Sequence, residues 1–405
     1  METILYDGML SGRSSGNRLG VLAPFDQAPP RPAIAAVSNW IICSQPERCR
    51  DVWKCDCPAG HRAGKILTRY TVSMQPVSIV ATVLNEVRDI ERLVTSLLAQ
   101  EPLAVEVIVV DGGSTDGTWE RLVTLQQKDA RLVPIRDETC SLKYSAGPVA
   151  RGRNVAIKAA KSNLIACSDA GCRYAPDWLK NLTDPLVSGK AEYALGGSCI
   201  DADGCTVWDL AAAPFFGVQL AADAPTKSCT ARSMAFTRNL WEQIGGFPEH
   251  VLVGEDALFD IEARKRTIPA FIANAKAFYA PLFTLRSAIY YMARYAIGDG
   301  QMRVRWARLV RNVERCVAQV AALACLPWSV LPALAILALE LWFAFHRDWR
   351  HLRRFGLNAI LARFAFSLVV PWVVAANHIR GLFVKEQLSN PQNETASVKK
   401  RDALI

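Results

Sequence analysis

The sequence predicts an α/β protein with a parallel sheet, followed by an apolar C-terminal part. From Pro76 onward, short apolar runs alternate with stretches of helical periodicity, which is typical of strands joined by crossover helices. The run Val107–Val110 is unbroken by polar residues, as expected for a strand covered on both faces. The apolar excess of the chain lies mostly beyond Cys316. We therefore expect a sheet domain first and apolar helices after it.

The stretch Glu106–Thr118, with the sequence EVIVVDGGSTDGT, is expected to organise the sheet. Its glycines allow the backbone to turn sharply at the end of the strand, and Ser114, Thr115 and Asp116 can cap the helix that follows. Asp111 stands at the carboxyl end of the strand, where open α/β sheets bind ligands. The turn therefore predicts a nucleoside- or phosphate-sized pocket. The alternative is an ordinary strand-to-helix turn in which Asp111 only caps.

The remaining elements follow in order along the chain. The patterns predict strands at Val77–Val83, Arg131–Ile135, Asn163–Ser168, Ala191–Ile200 and Ser228–Phe236, helices at Ile90–Leu98 and Trp119–Gln127, from Pro148 and from Glu255 to about Lys265, and a helix or loop at Trp208–Leu220.

Charge and cysteine content restrict the class of protein. The 405-residue chain carries a net charge of +9, and much of the excess is arginine between Arg294 and Arg354, beside the apolar segments. This placement favours attraction to a membrane surface, and no nucleic-acid motif is present. The twelve cysteines are scattered without a pairing framework, which indicates reduced thiols in a cytosolic compartment.

Residues 1–73 are predicted to be an irregular, dispensable extension, because they show no sustained periodicity and no apolar segment of the kind a signal peptide needs. A zinc site is the alternative for this region. Its spacings match neither a zinc finger nor a ribbon, and its ligands would be Cys43, Cys49, Cys55, Cys57 and His61.

Six motifs carry a resemblance to a known family. In chain order they are VLNE, VVDGGSTDGT, ARGRN, SDAG, GGFPE and GEDALF, all between Pro76 and about Thr267. With these motifs the chain resembles the inverting family 2 glycosyltransferases. The resemblance implies a GT-A type nucleotide-sugar-binding sheet with flanking helices over residues 74–284.

The resemblance also implies a donor site. It places the nucleoside beside Thr82, Leu84 and Glu86, and it lets Asp111 accept a hydrogen bond from the base, which favours uracil and hence a UDP-sugar. The further donor-binding residues that it implies are Ser114, Arg153, Lys158, Asp169 and Ser233.

The same resemblance makes Asp169 the metal-binding residue for Mg²⁺ or Mn²⁺. The second carboxylate of the family's Asp-any-Asp motif is replaced by Gly171, so diphosphate oxygens and waters would have to supply the other metal ligands. At the start of the last predicted helix, Asp256 is implied to be the catalytic base, with Glu255 orienting the acceptor or capping the helix.

The C-terminal part is predicted to associate with a membrane. Residues 285–313 are expected to be an amphipathic, basic linker and residues 314–385 membrane-associated helices, with a polar tail over 386–405. The apolar stretch Cys316–Phe345 is broken by prolines and is too short for two full spans, which predicts a kinked hairpin. Phe364–Ala376 is expected to be an interfacial piece. Basic flanks predict that the catalytic domain faces the cytoplasm at the inner membrane.

Taken together, these features predict a membrane-associated, inverting transfer of one sugar from a UDP-sugar to a lipid-linked or surface-polysaccharide acceptor. A processive polysaccharide synthase is one alternative, although the three residues between Gln301 and Arg305 differ from the family's processive spacing of two. A catalytically degenerate membrane scaffold is another, for which Gly171 is the one argument. Neither alternative involves nucleic acid.

Overall fold

The computed structural model of the protein describes residues 75–102, 104–220, 230–346 and 348–383. The predictions for the extension 1–73, its zinc alternative and the tail 386–405 lie outside the described residues.

Eight strands form one sheet in the order β3-β2-β1-β4-β7-β6-β8-β5. In chain order they are β1 Val77–Val83, β2 Glu106–Asp111, β3 Leu132–Arg136, β4 Leu164–Cys167, β5 Cys172–Tyr174, β6 Tyr193–Ile200, β7 Met234–Thr237 and β8 Ala270–Tyr279.

Twelve α-helices are described. They are α1 Ile90–Leu98, α2 Thr118–Lys128, α3 Pro148–Ala159, α4 Trp178–Val187, α5 Val207–Ala212, α6 Arg238–Ile244, α7 Glu255–Arg264, α8 Leu285–Gln301, α9 Trp306–Cys325, α10 Leu331–Phe345, α11 Trp349–Leu352 and α12 Leu357–Phe383.

The first half of the sheet is parallel, as predicted. β1 pairs in parallel with β2 and β4, and β2 with β3. Neighbouring residues of β1 enter opposite cores: Ile79 packs with Trp178 on one face and Val80 packs with Phe236 on the other. This covering of both faces is why the strand is apolar without alternation. The carboxyl ends of β1, β2 and β4 consequently meet at one edge of the sheet.

The second half of the sheet corrects the expectation of a purely parallel sheet. β7 runs antiparallel to β4, β6 antiparallel to β7, and β5 antiparallel to β8. The predicted strand Ser228–Phe236 is also too long, since a 3-10 turn at Ala231–Ser233 precedes β7. Strands β5 and β8 were not predicted: β5 is only three residues long, and the middle of β8 is a run of alanine, asparagine and lysine that is not typical of a strand.

The predicted bounds of β1 and α1 are confirmed without change. The predicted helix-or-loop region is the short α5 followed by turns. Residues 285–313, which were expected to be a linker, contain α8. This helix packs into a buried cluster that includes Met292 of α8, Ala212 of α5 and Phe366 of α12.

The C-terminal helices present apolar side chains to the outside. Helices α9 and α10 are separated by a short break at residues 326–330, as the prolines predicted, and Trp328 in this break is 84% exposed. The stretch Phe364–Ala376 is not a short piece but lies within the 27-residue α12. Within the described part of the chain, α12 is the one helix that is long and apolar enough to cross a membrane, judged by length and composition.

Candidate active site

The ends of β1 and β2 are tied together by side chains of the glycine-rich turn. The N–H of Asn85 donates to Ser114 Oγ at 2.8 Å, and the N–H of Glu86 donates to Thr118 Oγ1 at 2.8 Å. In return, Asn85 Oδ1 accepts from the N–H of Thr115 at 2.9 Å. These bonds hold the two strand ends as one rigid rim, because each satisfies a backbone donor that leaves the sheet ladder.

Asp111 is fully buried beneath this rim. Its carboxylate accepts from the N–H groups of Gly113 and Ser114 at 3.3 and 3.1 Å, and also from the Ser114 hydroxyl. Gly113 has φ +94°, a conformation that glycine adopts at little cost. These hydrogen bonds hold the turn and do not cap α2, whose N-cap residue is Gly117. The contact of Asp111 with a base stays a prediction.

Replacement of Asp111 separates the two roles. Asp111→Ala is expected to lower the free energy of unfolding by about 1–3 kcal/mol, because two N–H groups and a hydroxyl lose their acceptor. The measurement is denaturant unfolding together with calorimetric titration of UDP. The matched control is Ser114→Ala, which disturbs the same turn. A loss of UDP affinity of about ten-fold or more in Asp111→Ala alone supports the base contact, whereas equal losses in both variants leave stabilisation of the turn as the only role.

A buried arginine connects three elements at the centre of the site. Arg153 on α3 has a side chain that is 3% exposed. Its Nη1 donates to Glu255 Oε1 at 2.5 Å and its Nη2 to Asp169 Oδ1 at 2.6 Å. Asp169 follows β4 and Glu255 begins α7, so one guanidinium joins the edge of the sheet to the GEDALF motif at the start of α7. This fork is a geometry that arginine offers and lysine does not.

The two neighbouring carboxylates of α7 lie in different surroundings. Burial raises the pKa of Glu255, the Arg153 guanidinium opposes this shift, and the charge of Asp256 adds to it. Glu255 is therefore held inside by Arg153, while Asp256 is partly exposed. Burial raises the pKa of Tyr295 on α8, and the charges of both Asp256 and Glu255 add to that shift. The catalytic role of Asp256 stays a prediction.

Gly254 sets the direction in which α7 starts. It has φ +86°, and a Cβ there would approach the terminal methyl of Met302 to 2.5 Å. Met302 directly follows α8, so α7 begins against the C-terminal helices. A side chain at position 254 would shift both carboxylates.

The other predicted site residues are placed in different ways. Thr82 is partly buried, Leu84 is 44% exposed on the rim, and Lys158 is exposed in the last turn of α3, away from the buried Arg153. Ser233 is buried, and its hydroxyl accepts from Trp178 Nε1 at 2.8 Å and donates to the carbonyl of Ala275 at 3.2 Å. The structure thus uses the Ser233 hydroxyl within the core, and its contact with a sugar stays a prediction.

A cavity of about 240 Å³ lies between the rim and the C-terminal helices. Its walls include Glu86, Gly171 and four residues that the sequence reasoning missed: Arg232, Tyr279, Phe283 and Tyr295. An arginine inside the apolar segment TARSMAF was the available signal for Arg232. A larger open groove of about 600 Å³ lies beside GGFPE and α7, but it contains none of the predicted site residues.

Glu86 has an unusual titration that can be measured. Burial raises its pKa to about 7, and the charges of Asp89 and Asp116 add to the shift. Since this pKa is above the ordinary value, the group stabilises the fold at low pH, and that stability is lost as the pH rises from about 4.5 through 7.

Glu86→Gln is expected to remove this loss. At pH 8 the variant should exceed the wild type in stability by about 1–2 kcal/mol, a value discounted because solvent reaches the site, and at pH 5 the two should be nearly equal. Melting temperatures at the two pH values measure the difference. Parallel melting curves at both pH values would contradict the raised pKa.

The fit of a metal ion to this site is limited. Asp169 is the one carboxylate of the SDAG motif, and one of its oxygens is already bonded to Arg153. Among the described residues no group of three or more His, Cys, Asp or Glu side chains is arranged to hold a metal ion. A cation would therefore need oxygens from a bound ligand for most of its coordination shell.

The fold, together with the side chains at the carboxyl ends of β1, β2 and β4, indicates the class of protein. Residues 78–242 match the sequence model of glycosyl transferase family 2. Among solved structures, a mannosyltransferase from Pyrobaculum calidifontis in complex with GDP-Man and Mn²⁺ aligns with a TM-score of 0.53 at 20% identity, covering 75% of this chain and 88% of that chain. Residues 78–242 are thus a glycosyl transferase family 2 domain, and the chain has the GT-A fold, as the motifs predicted.

Two curated relatives are similar over different lengths. The Escherichia coli UDP-Glc:alpha-D-GlcNAc-diphosphoundecaprenol beta-1,3-glucosyltransferase WfaP is 30% identical over 130 residues, which are 32% of this chain and 49% of that protein. The glycosyltransferase AglE of Haloferax volcanii is 26% identical over 326 residues, 75% of this chain and 93% of that protein. The chain thus matches about half the length of the E. coli relative and nearly all of the archaeal one.

Proposed function

We propose that this glycosyltransferase moves one sugar from a UDP-sugar to a lipid-linked or surface-polysaccharide acceptor, with inversion, at the cytoplasmic face of the inner membrane. The observation that carries the proposal is the unequal pair at the start of α7. Arg153 binds Glu255 at 2.5 Å and Glu255 is buried, while Asp256 is partly exposed. In this proposal Glu255 is the structural carboxylate and Asp256 is the one that exchanges a proton.

The proposed reaction needs only one such carboxylate. The acceptor hydroxyl oxygen attacks the anomeric carbon of the donor sugar and forms the new C–O bond. Asp256 takes the hydroxyl proton, and the bond from the anomeric carbon to the diphosphate oxygen breaks, so that UDP leaves with the electron pair. A single displacement inverts the anomeric centre and requires no covalent partner on the enzyme.

The donor proposal rests on the rim formed by β1 and β2. Thr82, Leu84 and Glu86 lie at or beside the carboxyl end of β1, next to the turn that contains Asp111. The printed name of the E. coli relative gives UDP-Glc as its donor and a diphosphoundecaprenol-linked sugar as its acceptor. These support a UDP-sugar donor and a lipid-linked acceptor for this chain.

The proposal includes a divalent cation, Mg²⁺ or Mn²⁺, for which Asp169 is the one proposed protein ligand. Asp169 would hold it together with oxygens of the donor diphosphate, and when bound it would add positive charge to the leaving group. Arg153 would then orient Asp169 through its 2.6 Å contact.

The test of the proposed function is a transfer assay with the full-length protein. Purified protein would be offered UDP-glucose, UDP-galactose, UDP-N-acetylglucosamine and GDP-mannose, each with a GlcNAc-diphosphate-lipid acceptor. We expect release of UDP and a product with the anomeric configuration opposite to that of the donor, read by NMR. Retention of configuration would overturn the mechanism, and turnover of GDP-mannose alone would overturn the donor.

Membrane association is proposed through the C-terminal helices. On α9 and α10, apolar side chains such as Val317, Leu323, Leu331 and Leu334 are 56–70% exposed. Exposed apolar side chains grouped on neighbouring helices mark an interaction surface. Arg303, Arg305 and Arg311 stand beside these helices or within α9 in the chain. We accordingly propose residues 74–284 as the catalytic domain and 314–385 as the membrane-associated part.

Charges on the outer face of α10 are expected to weaken this association. Leu334 and Leu337 are 56% and 40% exposed, so the double variant Leu334→Glu/Leu337→Glu should keep the fold and lose vesicle binding several-fold. Each charge placed in hydrocarbon costs about 2.5–3.5 kcal/mol. Flotation with phosphatidylethanolamine–phosphatidylglycerol vesicles measures the bound fraction. The control is Ile268→Glu, 87% exposed in the loop before β8, and equal flotation of all three proteins would show that α10 is no membrane surface.

A further inference from the structure

Arg232 is a buried cation at the wall of the central cavity. It lies in the 3-10 turn Ala231–Ser233, is 8% exposed, and lines the cavity together with Gly171 and Tyr279. The Tyr174 hydroxyl accepts from the N–H of Asp169 and donates to the carbonyl of Arg232, both at 2.9 Å. One hydroxyl thus joins the backbones of Arg232 and Asp169, the residue proposed to face the donor diphosphate.

The contacts of Arg232 do not neutralise its charge. Its Nη1 donates to Ser198 Oγ and to the carbonyl of Phe216, both at the long distance of 3.4 Å, and its guanidinium lies 4.5 Å from the centre of the Tyr279 ring. In the part of the chain that the structure describes, no carboxylate lies within ion-pair distance of Arg232. An arginine has five N–H donors, and burying its charge is unfavourable without an anion.

Arg153 shows by contrast how this fold pairs a buried arginine. Arg153 is buried to a similar degree, and it contacts two carboxylates at 2.5 and 2.6 Å. Gly171, which also lines the cavity, has no side chain to offer. The cavity also contains Glu86 and Asp89, and Asp89 lies 3.2 Å from Arg92. Among the described residues, Arg232 therefore has no ion-pair partner, and Asp169 acts on its charge only from beyond ion-pair distance.

We propose that Arg232 binds a diphosphate group in this cavity and supplies, from the protein, positive charge for the leaving group. The inference rests on the proposed transfer of a sugar from a nucleoside diphosphate. Guanidinium forks suit phosphate oxygens because two N–H groups bind two oxygens at once. The diphosphate belongs either to the donor or to a lipid-linked acceptor, and the experiment separates the two.

The experiment titrates the full-length protein in EDTA with UDP, UMP and inorganic diphosphate by calorimetry. The variants are Arg232→Gln and Arg232→Lys, and the control is Arg264→Gln, an arginine on the outer side of α7 that contacts the Phe271 ring and Asp260. If the diphosphate belongs to the donor, Arg232→Gln should lower the affinity for UDP and for inorganic diphosphate by about ten- to a hundred-fold, which is the range of charge-assisted hydrogen bonds. The affinity for UMP should fall much less. Arg264→Gln should match the wild type.

Each other outcome is decisive. Unchanged UDP affinity with a raised KM for the lipid-diphosphate acceptor assigns the site to the acceptor. Unchanged UDP affinity and unchanged acceptor KM overturn the proposal. If Arg232→Gln does not fold, Arg232→Lys is the deciding variant, because lysine keeps the charge but lacks the two-pronged guanidinium. We then expect the affinity for UDP to fall several-fold and the affinity for UMP to stay unchanged. Wild-type affinities for both ligands would overturn the proposal. If the wild type binds inorganic diphosphate through Arg232 but no UDP, the proposed donor is wrong while the diphosphate site stands.

Discussion

Asp256→Asn is expected to lower turnover by about 10²–10⁴-fold, the usual contribution of a general base. The variant keeps the size of the side chain and removes the group that takes the acceptor proton. Asp256 is partly exposed, and its Oδ1 accepts from the N–H of Ala257 at 2.7 Å, so the fold should tolerate the amide. Initial rates of UDP release with acceptor present measure the effect, and calorimetry should show that UDP still binds.

The matched control for this prediction is the neighbouring carboxylate. Glu255→Gln leaves Arg153 with one fewer carboxylate in a buried position, so we expect a lower melting temperature and a smaller loss of turnover than in Asp256→Asn. The reverse order, with Asp256→Asn near wild-type activity, would assign the base to Glu255. Activity that survives both changes would rule out a carboxylate base on α7.

Arg153→Met is expected to cause the largest loss of stability, about 3–5 kcal/mol, because breaking a buried ion pair leaves an uncompensated charge. Glu255 is 11% exposed and loses the nearby guanidinium, while the more exposed Asp169 is partly rescued by water. Turnover should be abolished together with the stability, since the sheet edge and α7 lose their connection. Denaturant unfolding of the full-length protein gives the stability change.

A double-mutant cycle tests the cause of this loss. Arg153→Met/Glu255→Gln removes the cation and the buried anion together, and it should recover a large part of the stability lost in Arg153→Met. Arg153→Lys should fall between the wild type and Arg153→Met, since lysine cannot bind two carboxylates in a fork. Additive effects of the two single changes would mean that Arg153 and Glu255 do not interact.

The parallel half of the sheet was predictable because its signals are local. β1 and β2 are apolar runs that end in turn-forming residues, and the structure places both within one residue of their predicted bounds. The break between α9 and α10 was predictable for the same reason, since Pro327 stands in an apolar stretch and proline is disfavoured in a helix interior. Pro371 gives the same local signal but lies within the continuous α12, so this signal alone does not decide where a helix ends. The second half was predictable only in part. β6 and β7 were predicted as strands, whereas β5 and β8 were not, because they are stabilised by pairing: β5 pairs antiparallel with β8, and β8 pairs in parallel with β6.

The sequence by itself determined which functional groups the chain contains: the glycine-rich turn that follows Asp111, the adjacent carboxylates at the start of α7, and a metal-binding motif in which Gly171 replaces the second carboxylate. Only the tertiary structure decided what those groups do to one another. Arg153 meets Glu255 across 102 residues of sequence, and Arg232 lines the cavity with no carboxylate of the described residues within ion-pair distance. The physical reason is that hydrophobic period and turn chemistry act over a few residues, whereas the partner of a buried charge depends on how distant elements cross.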